Sequence, residues 1–266
     1  GLIEPTSGRV FFEGEDISCK SGRGVQRWRR HVQMIFQDPS ASLNPRKTIR
    51  HTLALPLGIH RAVEKSRIEE EILSLLETVD LTPPRAFVER YPHELSGGQK
   101  QRVTIARAIS ITPRLIVADE PVSSLDVSVR AGILNLMKKV QRDFNLAYVL
   151  ITHDLAVLRY SSNKVGIMYL GRIVEFADTD QIFNRCMHPY TKALLLATPI
   201  PDPERARNRD VGVTVGEVPS PIDVPPGCGF NPRCPIAEEV CCRVCPQLQD
   251  MGNGHLVACH MATGNL

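Results

Sequence analysis

The sequence predicts an α/β layer fold, with a parallel sheet, an inserted helical stretch and a small irregular, cysteine-rich tail. Three observations carry this expectation. Residues 115–118 (Leu-Ile-Val-Ala) and 147–152 are short, continuous apolar runs, the pattern of strands buried on both faces of a sheet. Helical periodicity separates them, so strands and helices alternate in the order that builds parallel sheets. From about Asp202 the periodicity fades and proline and glycine become dense, as in Pro219, Pro221 and Pro225-Pro226-Gly227.

The elements follow in order. Val10-Phe11-Phe12, Glu13-Gly14-Glu15 and Asp16-Ile17 read as strand, turn and strand. Residues 32–36 form another short strand, stopped by Asp38-Pro39. Residues from about 47 to 110 read as helical. Ile68, Ile72, Leu75, Leu76 and Val79 fall on one stripe with Glu69, Glu70 and Glu71 between them, and Pro83-Pro84 ends that helix. Further on, Val103, Ala106 and Ile109 share a buried face while Arg102 and Arg107 point elsewhere. After the strand at 115–118 come a helix at 129–144, a strand at 147–152, a helix at 155–160, and a hairpin of 165–170 and 172–176 through Gly171. No internal repeat is present.

A length of 266 residues allows one large domain or two smaller ones. No run of about eighteen apolar residues exists, so nothing reads as a membrane span. The formal charge of +3 is mild, and the cluster Arg27, Arg29, Arg30 reads as a solvated face, not as a nucleic-acid site. Cys19 and Cys186 stand alone. Cys228, Cys234, Cys241, Cys242, Cys245 and Cys259 crowd the tail, where a metal site would help a poorly cored module to fold.

Two stretches carry chemistry. Leu95-Ser96-Gly97-Gly98-Gln99 puts backbone N–H groups at the mouth of a helix without side chains to obstruct a phosphate, and the helix adds a positive dipole end. The apolar strand ending in Asp119-Glu120 offers one carboxylate for Mg²⁺ and a second for polarising water. Together they point to nucleotide phosphate chemistry.

The ordered motif set resembles the ATPase subunit of ATP-binding-cassette (ABC) transporters. Gln37 in Met34-Ile35-Phe36-Gln37-Asp38-Pro39 is similar to the Q-loop, Leu95 to Gln99 to the family signature, and Asp119-Glu120 to the Walker B pair. Ser123-Ser124-Leu125-Asp126 is similar to the D-loop, and His153 in Ile151-Thr152-His153-Asp154 to the switch histidine. The resemblance implies a P-loop NTPase fold, with a RecA-like core and the helical subdomain at about 40–110. It implies ATP and Mg²⁺ as ligands. Glu120 would be the general base or water-orienting residue, and Asp119 the Mg²⁺ partner. Gln37 would sense Mg²⁺, and His153 would contact the γ-phosphate. Ser96, Gly97, Gly98 and Gln99, with Asp126, would serve ATP held by the partner cassette. No G-x-x-x-x-G-K-[ST] loop occurs in the chain. The expectation is a phosphate loop lying ahead of Gly1. A natural protein without its own loop, lending only its signature to another ATPase, is the alternative.

Ser42-Leu43-Asn44-Pro45-Arg46, Tyr91-Pro92-His93-Glu94, His188-Pro189-Tyr190-Thr191-Lys192-Ala193-Leu194-Leu195 and Gly216-Glu217-Val218-Pro219-Ser220-Pro221 resemble the dipeptide/oligopeptide/nickel importer branch. His188 and Tyr190 are expected to pack and cap. This resemblance implies residues 1–185 as the ATPase domain and 186–266 as a C-terminal oligopeptide-transporter module. It implies an ATPase that energises uptake of peptides or a related solute, peripheral on the cytoplasmic face of a prokaryotic inner or plasma membrane. The implied partners are a second ATPase subunit (identical or different), two membrane permease subunits and an extracytoplasmic solute-binding protein, with no nucleic acid. Cys228-x5-Cys234-x6-Cys241 with Cys259 resembles the iron–sulfur ligand set of some members. Four thiolates suit a [4Fe–4S] cluster or Zn²⁺; Cys242 and Cys245 depart from the pattern, and unligated thiols are the remaining alternative.

Overall fold

The computed structural model describes residues 3–18, 23–60, 62–198, 217 and 219–262. Cys19, the change of texture at Asp202, and Gly216 and Val218 of the tail motif lie outside the described residues, as does the side chain of Arg27. The chain forms two compact units, residues 1–153 and 154–266.

The first unit opens with a hairpin of β1 (Phe11–Phe12) and β2 (Glu15–Asp16). Glu13 and Gly14, both at positive φ (50° and 80°), make the two-residue turn that matches strand twist. Helix α1 (Arg23–His31) leads into β3 (Val32–Ile35). With β4 (Leu115–Asp119) and β5 (Ala147–Ile151) it builds a parallel sheet in the order β3-β4-β5. The register pairs Ile35 with Ala118, Ala118 with Leu150, and Asp119 with Ile151, so the C-terminal ends of these strands lie side by side.

The expectation of strands buried on both faces needs correction. Ile35, Ile116 and Ala118 are buried, but Met34, Phe36, Val149 and Ile151 on the other face are exposed. Among the described residues, only one face of the sheet is covered.

Between β3 and β4 lie α2 (Pro39–Ser42), α3 (Ile49–Ile59), α4 (Ile68–Thr78), α5 (Arg85–Val88) and α6 (Gly97–Ile109). The stretch that the sequence reads as helical is thus several helices. The breaks fall where the chain cannot continue one: Asp80 has φ 56°, and Pro83-Pro84 follows. The apolar stripe of α4 is buried at Ile72, Leu75 and Leu76, with Val79 just past its end, against α3 (Ile49, Leu53, Leu57) and α6 (Val103, Ala106, Ile109). Arg102 and Arg107 leave that face to tie the helices together. Arg102 donates to the Val79 carbonyl at 2.7 Å and to Asp80 at 2.9 Å, and Arg107 donates to the Ser42 carbonyl at 2.6 Å. Helix α7 (Val127–Phe144) follows β4 and ends on Asn145 in the left-handed conformation, φ 47°.

The second unit contains α8 (Leu155–Ser161), β6 (Lys164–Tyr169), β7 (Arg172–Asp178), α9 (Thr179–Arg185), α10 (Pro189–Ala197), α11 (Glu239–Arg243), β8 (Gln249–Asp250) and β9 (Leu256–Val257). The β6–β7 hairpin turns at Leu170 and Gly171, φ 44° and 76°. The tail adds strands to it: the antiparallel sheet runs β6-β7-β9-β8. Phe230, fully buried, packs edge-on against Tyr169 and tilted against Tyr190, each at 5.4 Å between ring centroids. Strand addition and one aromatic anchor give the glycine- and proline-rich tail the burial it lacks alone.

Candidate functional site

The site gathers at the C-terminal ends of the parallel strands, where open α/β sheets bind ligands. Glu120 directly follows β4. Its N–H donates to the Ile151 carbonyl at 2.8 Å, which fastens the end of β4 to that of β5. Its φ of 42° is unusual for a residue with a side chain. Such strain persists where surrounding structure fixes it. Here the Ile151 bond and Ser123, whose N–H and hydroxyl donate to the Glu120 carbonyl at 3.2 and 3.1 Å, do so.

Both carboxylate oxygens of Glu120 are engaged. Gln37, just past β3, donates from Nε2 to Oε2 at 2.8 Å, and His153 Nδ1, just past β5, lies 2.8 Å from Oε1. With the proton assigned to Nδ1, the histidine is the donor. Residues 37, 120 and 153 are far apart in sequence and converge because their strands are neighbours in register. The His153 bond, followed by Ser123, the histidine's charge and Gln37, outweighs desolvation and holds the Glu120 carboxyl below its ordinary range. Glu120 is therefore ionised at neutral pH. His153, 75% exposed, is tethered mainly by this one bond. Asp119 is the last residue of β4, and among the described residues its carboxylate has neither a hydrogen-bond nor an ion-pair partner.

The signature residues stand elsewhere in this unit. Ser96 caps α6. Its hydroxyl accepts from the Gln99 N–H at 3.3 Å, and the Gln99 side chain accepts from the Ser96 N–H at 3.0 Å, a reciprocal capping box. Gly97 and Gly98 lie against the D-loop side. A Cβ on Gly97 would sit 3.4 Å from Leu125 Cδ2, and one on Gly98 only 2.6 Å from Val129 Cγ1. Gly98 is thus required by packing as well as by any phosphate. Asp126 caps α7 through its carbonyl, which accepts from Arg130, and its side chain is exposed.

A physical link joins the two groups. Beyond Gln37, Asp38 caps α2 by accepting from the Ser40 N–H at 2.7 Å. Lys100 and Arg107 of α6 then hold Ser40 and the Ser42 carbonyl at 3.2 and 2.6 Å. A displacement of Gln37 therefore reaches the helix that the signature opens. These links leave no mark in the sequence, because serine hydroxyls and carbonyls carry no periodic signal.

In the second unit the four expected thiols are neighbours. The Cys228 N–H donates to the Cys241 carbonyl at 2.8 Å. Burial pushes the Cys228, Cys234 and Cys259 thiols up, and neighbouring thiols of the same set push further. Cys241 is buried, while Cys242 is exposed and faces Asn231. A mononuclear ion needs thiolates about 2.3 Å from a common centre. Among the described residues no group of three or more His, Cys, Asp or Glu is so gathered.

Two residues that sequence reasoning passed over anchor this unit. Glu175 of β7 is completely buried and accepts from the Met187 and His188 N–H groups at 2.7 and 3.2 Å, with His255 Nε2 at 2.7 Å. His188 is buried as well and caps α10, its Nδ1 accepting from the Tyr190 N–H at 3.1 Å. The packing and capping expected of His188 is what the structure shows; a glutamate in an alternating strand gave no hint of its burial.

Residues 1–123 match the ABC transporter family, and residues 174–241 match the oligopeptide/dipeptide transporter C-terminal region. The chain is 44% identical over 261 residues to an oligopeptide transport ATP-binding protein, AppF, of Bacillus subtilis, covering 98% of this chain and 79% of that one. It is 48% identical over 260 residues to a probable peptide ABC transporter ATP-binding protein of Sinorhizobium fredii, covering 98% and 72%. Among solved structures, a dimeric ATP-binding cassette in a post-hydrolysis state with ADP and Pi superposes with a TM-score of 0.58 at 28% identity, over 67% of this chain and 76% of that one. The protein cbiO1 of Clostridium perfringens, part of the ABC transporter complex cbiONQ, shares the fold with a TM-score of 0.62 at 24% identity, over 70% and 71%. Among the described residues no helix is long and apolar enough to cross a membrane. With the strand-end triad of Gln37, Glu120 and His153 and this extent of likeness, the chain belongs to the ATP-binding subunits of ABC transporters, among the oligopeptide and peptide import ATP-binding proteins.

Proposed function

We propose that this chain hydrolyses ATP to drive uptake of peptides through an ABC importer, with Glu120 as the general base. The observation that carries the reading is the occupancy of Glu120: both oxygens are held by Gln37 and His153, the two residues that Mg²⁺ and the γ-phosphate would attract. Gln37 would help to hold Mg²⁺ and His153 the γ-phosphate, while Glu120, already ionised, would take the proton of the attacking water. This favours hydrolysis over the alternative of a subunit that only lends its signature.

Asp119 and Gln37 fit Mg²⁺. The Asp119 carboxylate is unengaged among the described residues, and Gln37 uses only its amide N–H₂ toward Glu120. Mg²⁺ would neutralise charge on the transferred phosphoryl group. Ser96, Gly97, Gly98, Gln99 and Asp126 close over ATP held by a second ATPase subunit. Two permease subunits dock near Gln37 and the helical subdomain at about 40–110, and an extracytoplasmic binding protein delivers the solute. These partners place the chain peripherally on the cytoplasmic face of the membrane. The division into residues 1–185 and 186–266 belongs to the same proposal.

Cys228, Cys234, Cys241 and Cys259 would hold an iron–sulfur cluster in this proposal, supported by their spacing in the sequence and not by their geometry, which gathers no metal-holding group among the described residues. The cluster would cross-link the tail. Anaerobically purified protein should be brown, absorbing near about 400 nm, and Cys228→Ser should bleach it. Colourless protein of unchanged stability in that variant would remove the cluster.

The functional test is uptake. Proteoliposomes carrying the assembled importer should accumulate short peptides only with ATP inside. Accumulation without ATP, or of no peptide at all while ATP is turned over, would contradict the reading.

A further inference from the structure

Cys242 and Cys245 are set apart from the other four tail thiols by their partners. They form a C-x-x-C pair. Cys242 lies in the last turns of α11 and is exposed, and Cys245 follows two residues past the helix end, half-buried. The Val244 N–H closes the last helical turn by donating to the Val240 carbonyl at 2.9 Å, and Val244 itself is extended. Arg172, the first residue of β7, donates from Nη1 to Cys245 Sγ at 3.1 Å. The contact sets a cationic donor against that sulfur, and reactive cysteines sit in electropositive, partly exposed surroundings. Cys242 Sγ rests 3.8 Å from Asn231 Oδ1, while Asn231 Nδ2 donates to the Pro226 and Cys228 carbonyls at 2.9 and 2.8 Å.

We propose that Cys242 and Cys245 form a redox-active dithiol, oxidised by peroxides to a disulfide ahead of the other four tail cysteines. Cys245 sulfur attacks a peroxide oxygen and the O–O bond breaks. The sulfur becomes a sulfenic acid, and the departing hydroxide leaves as water with the thiol proton. Cys242 sulfur then attacks the sulfenic sulfur, an S–S bond forms, and the second hydroxide leaves as water with the Cys242 proton. Two thiols and one peroxide thus give one disulfide and two waters. In a reducing compartment a disulfide of this kind is transient, as in redox sensing. Its message has a short path. Oxidation removes the thiol donor from Asn231, which pins the loop of Cys228. That loop is stitched to α11 so closely that a Cβ on Gly227 would lie 2.4 Å from the Cys241 carbonyl oxygen.

The test uses the whole chain, reduced, then treated with a small excess of hydrogen peroxide, alkylated and cut with trypsin. Cleavage after Arg243 separates the two cysteines. The first covalent product should join the peptide ending at Arg243 to the one starting at Val244, with fragmentation placing the bond between Cys242 and Cys245. Cys242→Ser should stop at a sulfenic acid that dimedone traps on Cys245. Arg172→Leu should slow oxidation roughly fivefold or more, and Arg172→Lys less. A first bond among Cys228, Cys234, Cys241 and Cys259, trapping on a different cysteine, no bond at all, or an unchanged rate in Arg172→Leu would overturn the proposal. If Arg172→Leu fails to fold, the wild-type mapping and the Cys242→Ser trapping decide it.

Discussion

Replacing Gly98 by alanine separates packing from phosphate chemistry at the signature. The new Cβ would lie 2.6 Å from Val129 Cγ1, whereas carbon atoms prefer about 3.5–4.0 Å. The helices must open by about 1 Å at the start of α7, because a valine in a helix has one strongly preferred rotamer and cannot turn away. Such overpacking costs about 1–3 kcal/mol. Alanine's better helix propensity returns at most about 1 kcal/mol. The net expectation is a loss of about 1–2 kcal/mol, read as a fall of roughly 0.5–1 M in the urea midpoint. The assay is urea unfolding, followed by circular dichroism, of the wild type, Gly98→Ala, Val129→Ala and the double variant. The double variant should recover most of the loss, since its Cβ then meets only the Cβ of residue 129, at 3.9 Å. ATP turnover of that variant then reports the phosphate role alone, and it should stay low. A single variant as stable as wild type, or a double variant no better than Gly98→Ala, would refute the packing argument.

Two further outcomes follow from buried groups. Burial lowers the His188 pKa from about 6.5 to about 4; the unfolded chain therefore binds a proton that the native one refuses, and stability should fall as pH drops from about 6.5 to about 4, by about 3 kcal/mol in all. His188→Asn, which keeps a capping acceptor, should flatten that slope in thermal unfolding; an equally steep slope would be against it. Arg107→Met should cost roughly 1–3 kcal/mol by stranding the Ser42 carbonyl, and it should weaken the dependence of turnover on the permease subunits; a variant coupled as well as wild type would break the proposed link from Gln37 to α6.

The strand-end chemistry was legible in sequence because it is local. Apolar strands end in Asp119-Glu120 and Thr152-His153, and Ser96-Gly97-Gly98-Gln99 spells a helix start. Their convergence was not spacing but register, and only the resemblance to a known family anticipated it. The helical insert was legible as a type but not as pieces, since Asp80 and the short helix α5 break a periodicity that otherwise runs on. Coverage of the sheet was overread: continuous apolar runs signal burial on both faces, yet Val149 and Ile151 are exposed. The tail hid the most. Strands of two residues carry almost no pattern, and the burial of Glu175, His188 and His255 depends on contacts between segments distant in sequence.

The most direct test of Glu120 as the hydrolytic base is steady-state ATP turnover by Glu120→Gln, measured beside nucleotide affinity, in the assembled importer. The glutamine keeps the size and the contact to His153 but cannot take a proton. Turnover should fall roughly a hundredfold or more while ATP affinity stays within a few-fold of wild type. Turnover close to wild type would contradict the assignment of Glu120.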